Sequence, residues 1–314
     1  MDKAQKIQLF FKGIAMGAAD VVPGVSGGTI AFITGIYGRL LTALNRFDLT
    51  ALGLLKSSKL SELWKHVDGS FLLILGSGIL LSILSLAKIV TWTLLNYPEP
   101  LWSFFAGLIL ASSWFVLKEV ERWRFTEKLL LLLGILLAYV ISAAVPVEVD
   151  KNQWMIFLSG AFAICAMILP GVSGSFILLV LGMYTFILEA LHQFNFSVIA
   201  IFAAGCLIGL LSFSRFLSYM LDKYTSQTLA LLTGFLIGAL YKVWPWKMTI
   251  VYRLGSDGAQ MPLVQANVMP GMYTDLTGLS PQLAACTAAF VVGFIIVTFL
   301  GRNAPDNSQL HSNQ

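Results

Sequence analysis

Charge is what this chain of 314 residues has least of. Asp, Glu, Lys and Arg make up 11% of it, less than half of the ~25% usual in a soluble domain. Histidine and cysteine are scarce too. His66, His192 and His311 stand alone, and Cys165, Cys206 and Cys286 lie in separate apolar segments without metal spacing. That argues against a disulfide framework and a Cys/His metal centre, and the thiols read as buried and free. The chain carries no paired-histidine motif, no nucleophile–base pattern and no P-loop. Neither an enzyme nor a cofactor is expected, and no nucleic-acid partner.

Apolar residues fill the space left. They make up 57% of the chain, and the mean hydropathy is +0.81. Runs such as Leu129–Val145 and Leu283–Leu300 approach the ~20 residues that cross a bilayer. The chain reads as an all-α integral membrane protein. Its first apolar stretch is interrupted by Asp20 and then by glycines, so no cleavable signal peptide is expected.

One short string interrupts the apolar pattern twice, as Pro23-Gly-Val-Ser-Gly-Gly28 and as Pro170-Gly-Val-Ser-Gly-Ser175. Proline removes a backbone donor and glycine gives up packing for freedom, so no helix runs unbroken through either copy. New helices are expected to start at 26–29 and 173–176, where serines, glycines and a threonine leave backbone N–H groups accessible. In a membrane, such backbone is tolerated only where protein buries it or it lines a cavity.

Basic residues set the expected orientation. Lys3, Lys6 and Lys12 precede the first break, and Arg39, Arg46, Lys56, Lys59 and Lys65 follow it. Both flanks then face the cytoplasm, which favours a re-entrant hairpin over about 13–46, entered from an interfacial helix at 1–12. Spans are expected at 69–95, 101–117 and 129–145. The flanks of the second break are not strongly basic, so a second hairpin, 154–194, enters from outside. Spans at 197–221, 228–246 and 283–300 follow, with a long polar connection at 247–281 and a polar tail at 302–314. N- and C-termini are expected in the cytoplasm, at the inner (cytoplasmic) membrane.

The halves 1–150 and 151–301 read as copies. At the offset that carries Pro23 to Pro170, Gly13 matches Gly160, Gly35 matches Gly182 and Tyr37 matches Tyr184. At the offset that carries Gly78 to Gly205, Lys88 matches Arg215, Tyr97 matches Tyr224 and Gly107 matches Gly234. Three spans separate the hairpins, so the repeats are inverted, a recurring transporter plan.

Three features could carry function. The strings read either as helix kinks kept for packing or as an anion site built from Ser26, Gly27, Gly28, Thr29, Ser173, Gly174 and Ser175. Lys88 and Arg215, each inside an apolar segment, either snorkel to an interface or complete a cationic pocket suited to phosphate. Asp20 is the one acid deep in a predicted membrane segment, and its repeat partner is Met167. It is either a fixed partner of the basic pair or a coupling site for a proton or Na⁺.

The string Gly17-Ala-Ala-Asp20-Val-Val-Pro-Gly-Val-Ser-Gly-Gly-Thr29 with Gly35-Ile-Tyr37, and Leu169-Pro-Gly-Val-Ser-Gly-Ser175 with Gly182-Met-Tyr184, resemble the paired signatures of the bacterial and archaeal polyprenyl-phosphate translocases. The resemblance runs from about Lys12 to Leu300. It implies transport of undecaprenyl phosphate, the lipid carrier of envelope glycan synthesis, from the outer leaflet back to the inner one. A transporter or channel for a small soluble anion would use the same hairpins. A membrane phosphatase would need a nucleophile or metal cluster that the chain lacks.

Overall fold

The computed structural model describes residues 1–21, 26–144, 149–254 and 260–302, with the side chains at 21, 87, 88, 91, 253–254, 260–263 and 300–302 excepted. Pro23, Gly24 and Val25, the side chain of Lys88, and the tail from residue 303 onward therefore lie outside the described residues.

The chain opens with α1 (Lys3–Val21), a helix of 19 residues and about 28 Å. The interfacial helix expected at 1–12 and the first hairpin limb are thus one continuous helix. Across the first break follow α2 (Gly27–Ile33) and α3 (Tyr37–Asn45), bent by 116°. The returning limb is therefore not one rod. Its bend falls at Gly35, whose φ of 70° is open to glycine at little cost, while Thr34 Oγ1 donates back to the Ile30 carbonyl at 2.8 Å. Two short helices, α4 (Leu49–Lys56) and α5 (Leu60–His66), occupy the basic linker. Then come α6 (Gly69–Asn96), α7 (Pro98–Glu119) and α8 (Phe125–Ala143).

The second half follows the same order. α9 (Gln153–Ile168) leads to the second break, and α10 (Gly174–Val180) and α11 (Tyr184–His192) are bent by 107° at Gly182, φ 63°. α12 (Phe196–Lys223) has 28 residues, as α6 has. α13 (Thr225–Ala239) has only 15, about 22 Å, so the span expected at 228–246 stops as a helix at Ala239. The connection expected to be merely polar is folded. Strands β1 (Lys247–Leu254) and β2 (Gln260–Asn267) pair antiparallel, Lys247 opposite Asn267, and α14 (Pro270–Thr277) leads to α15 (Leu283–Arg302). Among the described residues, α6, α7, α8 and α12 are each long and apolar enough to cross a bilayer.

Small residues set the helix crossings. α1 packs on α6, where a Cβ on Gly13 would strike the Leu75 carbonyl and one on Gly78 the Phe10 carbonyl. α9 packs on α12, where Gly160 and Gly205 stand in the same way against Phe202 and Phe157. The later helices pair across the halves: α7 lies on α15 at Gly107 and Gly293, and α8 on α13 at Gly134 and Gly234. Backbones approach closely at such positions, and in lipid that packing is itself a source of association. The interior they enclose holds α2, buried along its whole length and packed against α7, α9 and α15.

Candidate functional site

The two breaks touch. Ser26 precedes α2 in an extended conformation, its hydroxyl accepting from the Gly28 N–H at 3.1 Å. The same hydroxyl donates to the Met167 carbonyl at 2.7 Å, at the end of α9. Tyr37 OH donates to the Ile168 carbonyl at 3.0 Å. In return the Gly171 N–H donates to Thr29 Oγ1 at 3.0 Å. A helix end leaves carbonyls unpaired, and here the first break's hydroxyls satisfy those of α9. Ser26 and Thr29 are each only 1% exposed, so both hydroxyls are committed to protein partners. Gly28 is tight for the same reason, since a Cβ there would overlap the Ile168 carbonyl.

Asp20 ends up opposite the start of α2. Its Oδ1 accepts from the Gly27 N–H at 2.7 Å, so the carboxylate occupies the partly positive end of α2. Among the described ion pairs it has no basic partner. Gly27 is needed because a Cβ would strike this carboxylate.

At the second break the equivalent place holds an apolar group. A Cβ on Gly174 would meet the side chain of Met167 and the Ala163 carbonyl. Gly171 takes φ +85° and packs on the backbone of α13 at Phe235. Ser173 starts α10 without capping it, and the Ser173 and Ser175 hydroxyls lie 2.9 Å apart, bonded to each other. Ser26, Gly28 and Thr29 thus meet the end of α9 and Gly171, while the Ser173 and Ser175 hydroxyls, among the described residues, are bonded to each other.

Arg215 lies near the end of α3. It is exposed on α12, and its Nη2 donates to the Phe47 carbonyl just after α3 at 3.0 Å.

Two basic residues escaped sequence reasoning. Lys242, in the turn after α13, places its ammonium 4.0 Å from the ring centroid of Phe176, in the first turn of α10. Lys247, at the start of β1, lies 3.7 Å from the ring centroid of Trp102 on α7 and donates to the Lys242 carbonyl at 2.6 Å. Both are half-buried. Their one sequence signal is a pair of lysines around Trp244-Pro-Trp246, which resembles ordinary interfacial anchors. A groove of about 740 Å³ runs along α15 past Leu283, Thr287 and Val291. Its lining carries no charge, which suits lipid contact but not a headgroup.

No group of His, Cys, Asp and Glu that could hold a metal occurs among the described residues. Residues 16–261 match the family described as Undecaprenyl phosphate translocase-like. A Vibrio cholerae protein named "Polyprenyl-phosphate transporter" is 45% identical over 95% of this chain and 97% of its own length. A Staphylococcus aureus protein of the same name is 29% identical over 94% of this chain and 96% of its own. No solved structure matches.

Proposed function

Because this chain belongs to the Undecaprenyl phosphate translocase-like family, we propose that it carries undecaprenyl phosphate from the outer to the inner leaflet of the cytoplasmic membrane, with the phosphate passing between the two breaks. The observation that supports this most is the direct contact of two Gly-Ser breaks inside a membrane protein, made by a handful of neutral hydrogen bonds.

A lipid phosphate needs a polar path for its headgroup alone, because the isoprenoid tail stays in hydrocarbon. The contact between the breaks is a natural gate. Each bond across it is worth only about 1 kcal/mol, so a charged group that offers stronger acceptors competes for the same donors. Ser173 and Ser175 donate to phosphate oxygens once they release each other. Arg215 uses one donor on Phe47, and the rest of its guanidinium fork remains for phosphate. Lys88 takes the matching role in the first half. The like crossings of α1 on α6 and α9 on α12 support two repeats, and the odd number of spans between them makes those repeats inverted. The excess of Lys and Arg in the first half of α1 and through α3–α5 supports a cytoplasmic location for both chain ends.

Asp20 supplies the coupling. A phosphate approaching α2 meets a carboxylate already there, and protonation or Na⁺ binding at Asp20 removes the repulsion. Cation and lipid phosphate then move together.

Proteoliposomes holding undecaprenyl phosphate in one leaflet test the reading. Purified protein should move the lipid between leaflets and leave entrapped inorganic phosphate in place. Folded protein that moves inorganic phosphate but not the lipid would overturn it.

A further inference from the structure

We propose that Lys242 and Lys247 form a receiving pocket for a phosphate monoester, the point at which the headgroup is taken up before it reaches the second break. The pocket rests on the lipid-phosphate reading above, and it adds residues on a different element from the two breaks.

Three observations carry it. First, the two lysines belong to one small unit: Lys247 Nζ donates to the backbone carbonyl of Lys242 at 2.6 Å. Burial, and then the charge of Lys242 beside it, hold the Lys247 ammonium well below the usual lysine range. Burial and the neighbouring lysine disfavour the charged form, and an anion that binds here would favour it again. Second, neither faces a carboxylate among the described ion pairs, which involve Arg39, Lys59 and His66. The near acid on α7 is Glu99, one turn before Trp102. It is occupied by the Tyr273 hydroxyl and the Gln282 amide. What the ammoniums face instead are the rings of Phe176 and Trp102. A snorkelling lysine ends in water, whereas these end on aromatic faces, a contact worth a fraction of a charged hydrogen bond and readily exchanged for one. Third, Phe176 directly follows Ser175, so the ring under Lys242 belongs to the first turn of α10, where Ser173 and Ser175 also stand.

The turn itself is held in place. Trp244 Nε1 donates to the Val268 carbonyl at 2.9 Å and Trp246 Nε1 to the Pro281 carbonyl at 2.9 Å. Asn267 Nδ2 donates to the Tyr241 carbonyl at 2.8 Å. These bonds tie the segment between α13 and β1 to the end of β2 and to the residues that follow β2 and α14. Two ammoniums and two hydroxyls suit a group with up to two negative charges and three terminal oxygens, which is a phosphate monoester. The same chemistry comes as a prenyl phosphate or as free phosphate.

The experiment uses the full chain in lipid nanodiscs, titrated separately with farnesyl phosphate, farnesol and inorganic phosphate, with thermal midpoints recorded alongside. Farnesyl phosphate should bind and farnesol should not. Lys242→Gln and Lys247→Gln should each weaken farnesyl phosphate by about tenfold or more, and Lys242→Arg should restore most of the loss. Lys242→Gln removes no hydrogen bond that the structure shows, so it remains informative if Lys247→Gln fails to fold. Farnesyl phosphate binding that is the same in wild type and Lys242→Gln overturns the pocket and leaves the lipid reading standing. Lysine-dependent binding of inorganic phosphate, with farnesyl phosphate no better, supports the pocket and overturns the lipid reading.

Discussion

At the first break a carboxylate lies against the glycine that starts the next helix, and at the second a methionine lies in the same place. Asp20 receives the Gly27 N–H, while Met167 abuts Gly174. The serines diverge in step. Ser26 is bonded to two backbone groups, whereas among the described residues Ser173 and Ser175 bond each other alone. Like backbone therefore serves unlike ends. The first break carries its own negative charge and holds the end of α9, and the second is left without an acid beside a lysine. On the proposed reading, an incoming anion would meet repulsion at one break and donors at the other.

Substitutions can exchange these properties. The largest effect is expected from Gly28→Val, which drives a side chain into the Ile168 carbonyl. It should cost about 3 kcal/mol, the upper end for overpacking, read as a lowered thermal midpoint together with lost transport. Gly27→Ala, facing a movable carboxylate, should lower the midpoint less. Next comes Met167→Asp, which gives the second break the acid that the first one has. Farnesyl phosphate binding should fall by about tenfold or more, since like charges disfavour the same site. Unchanged affinity would mean that the phosphate does not visit this break. Asp20→Asn keeps an acceptor for the Gly27 N–H and removes the charge. Transport should persist but ignore an imposed proton or Na⁺ gradient, and a full response to the gradient would remove Asp20 from coupling. The smallest changes separate the serines. Ser26→Ala leaves the Met167 carbonyl and Gly28 N–H without their partner and should cost about 1–2 kcal/mol of stability. Ser173→Ala loses one hydroxyl–hydroxyl bond and should cost about 0.5–1 kcal/mol, less than Ser26→Ala, yet slow transport. Equal stability losses at the two serines would erase the contrast.

Both breaks were legible because Pro-Gly inside an apolar run has few readings. The matched glycines were legible because a repeat keeps the residue wherever two backbones must meet, as Gly13 and Gly160 do. Asp20 could be singled out as an unmatched acid, but its partner could not be named. The contact with Gly27 joins residues seven apart across the break, a pairing that no helical spacing predicts. The bend at Gly35 was hidden inside a segment apolar enough to read as one limb. Lys242 and Lys247 were hidden differently. α13 was expected to run to residue 246, and lysines beside tryptophans at a span end ordinarily mark an interface. Only the early stop at Ala239 and the folded β1–β2 connection turn them inward.

The exchange of partners between the halves has a bearing on synthesis. α8 leaves the ribosome well before α13, and α7 well before α15, yet each pair meets glycine to glycine. During that interval Gly107 and Gly134 face lipid or a chaperone, and the first half alone presents two helices whose mates have yet to be made. A chain cut in the loop before α9 should therefore yield stable protein only when both fragments are made in the same cell, and either fragment alone should be a substrate for membrane proteolysis.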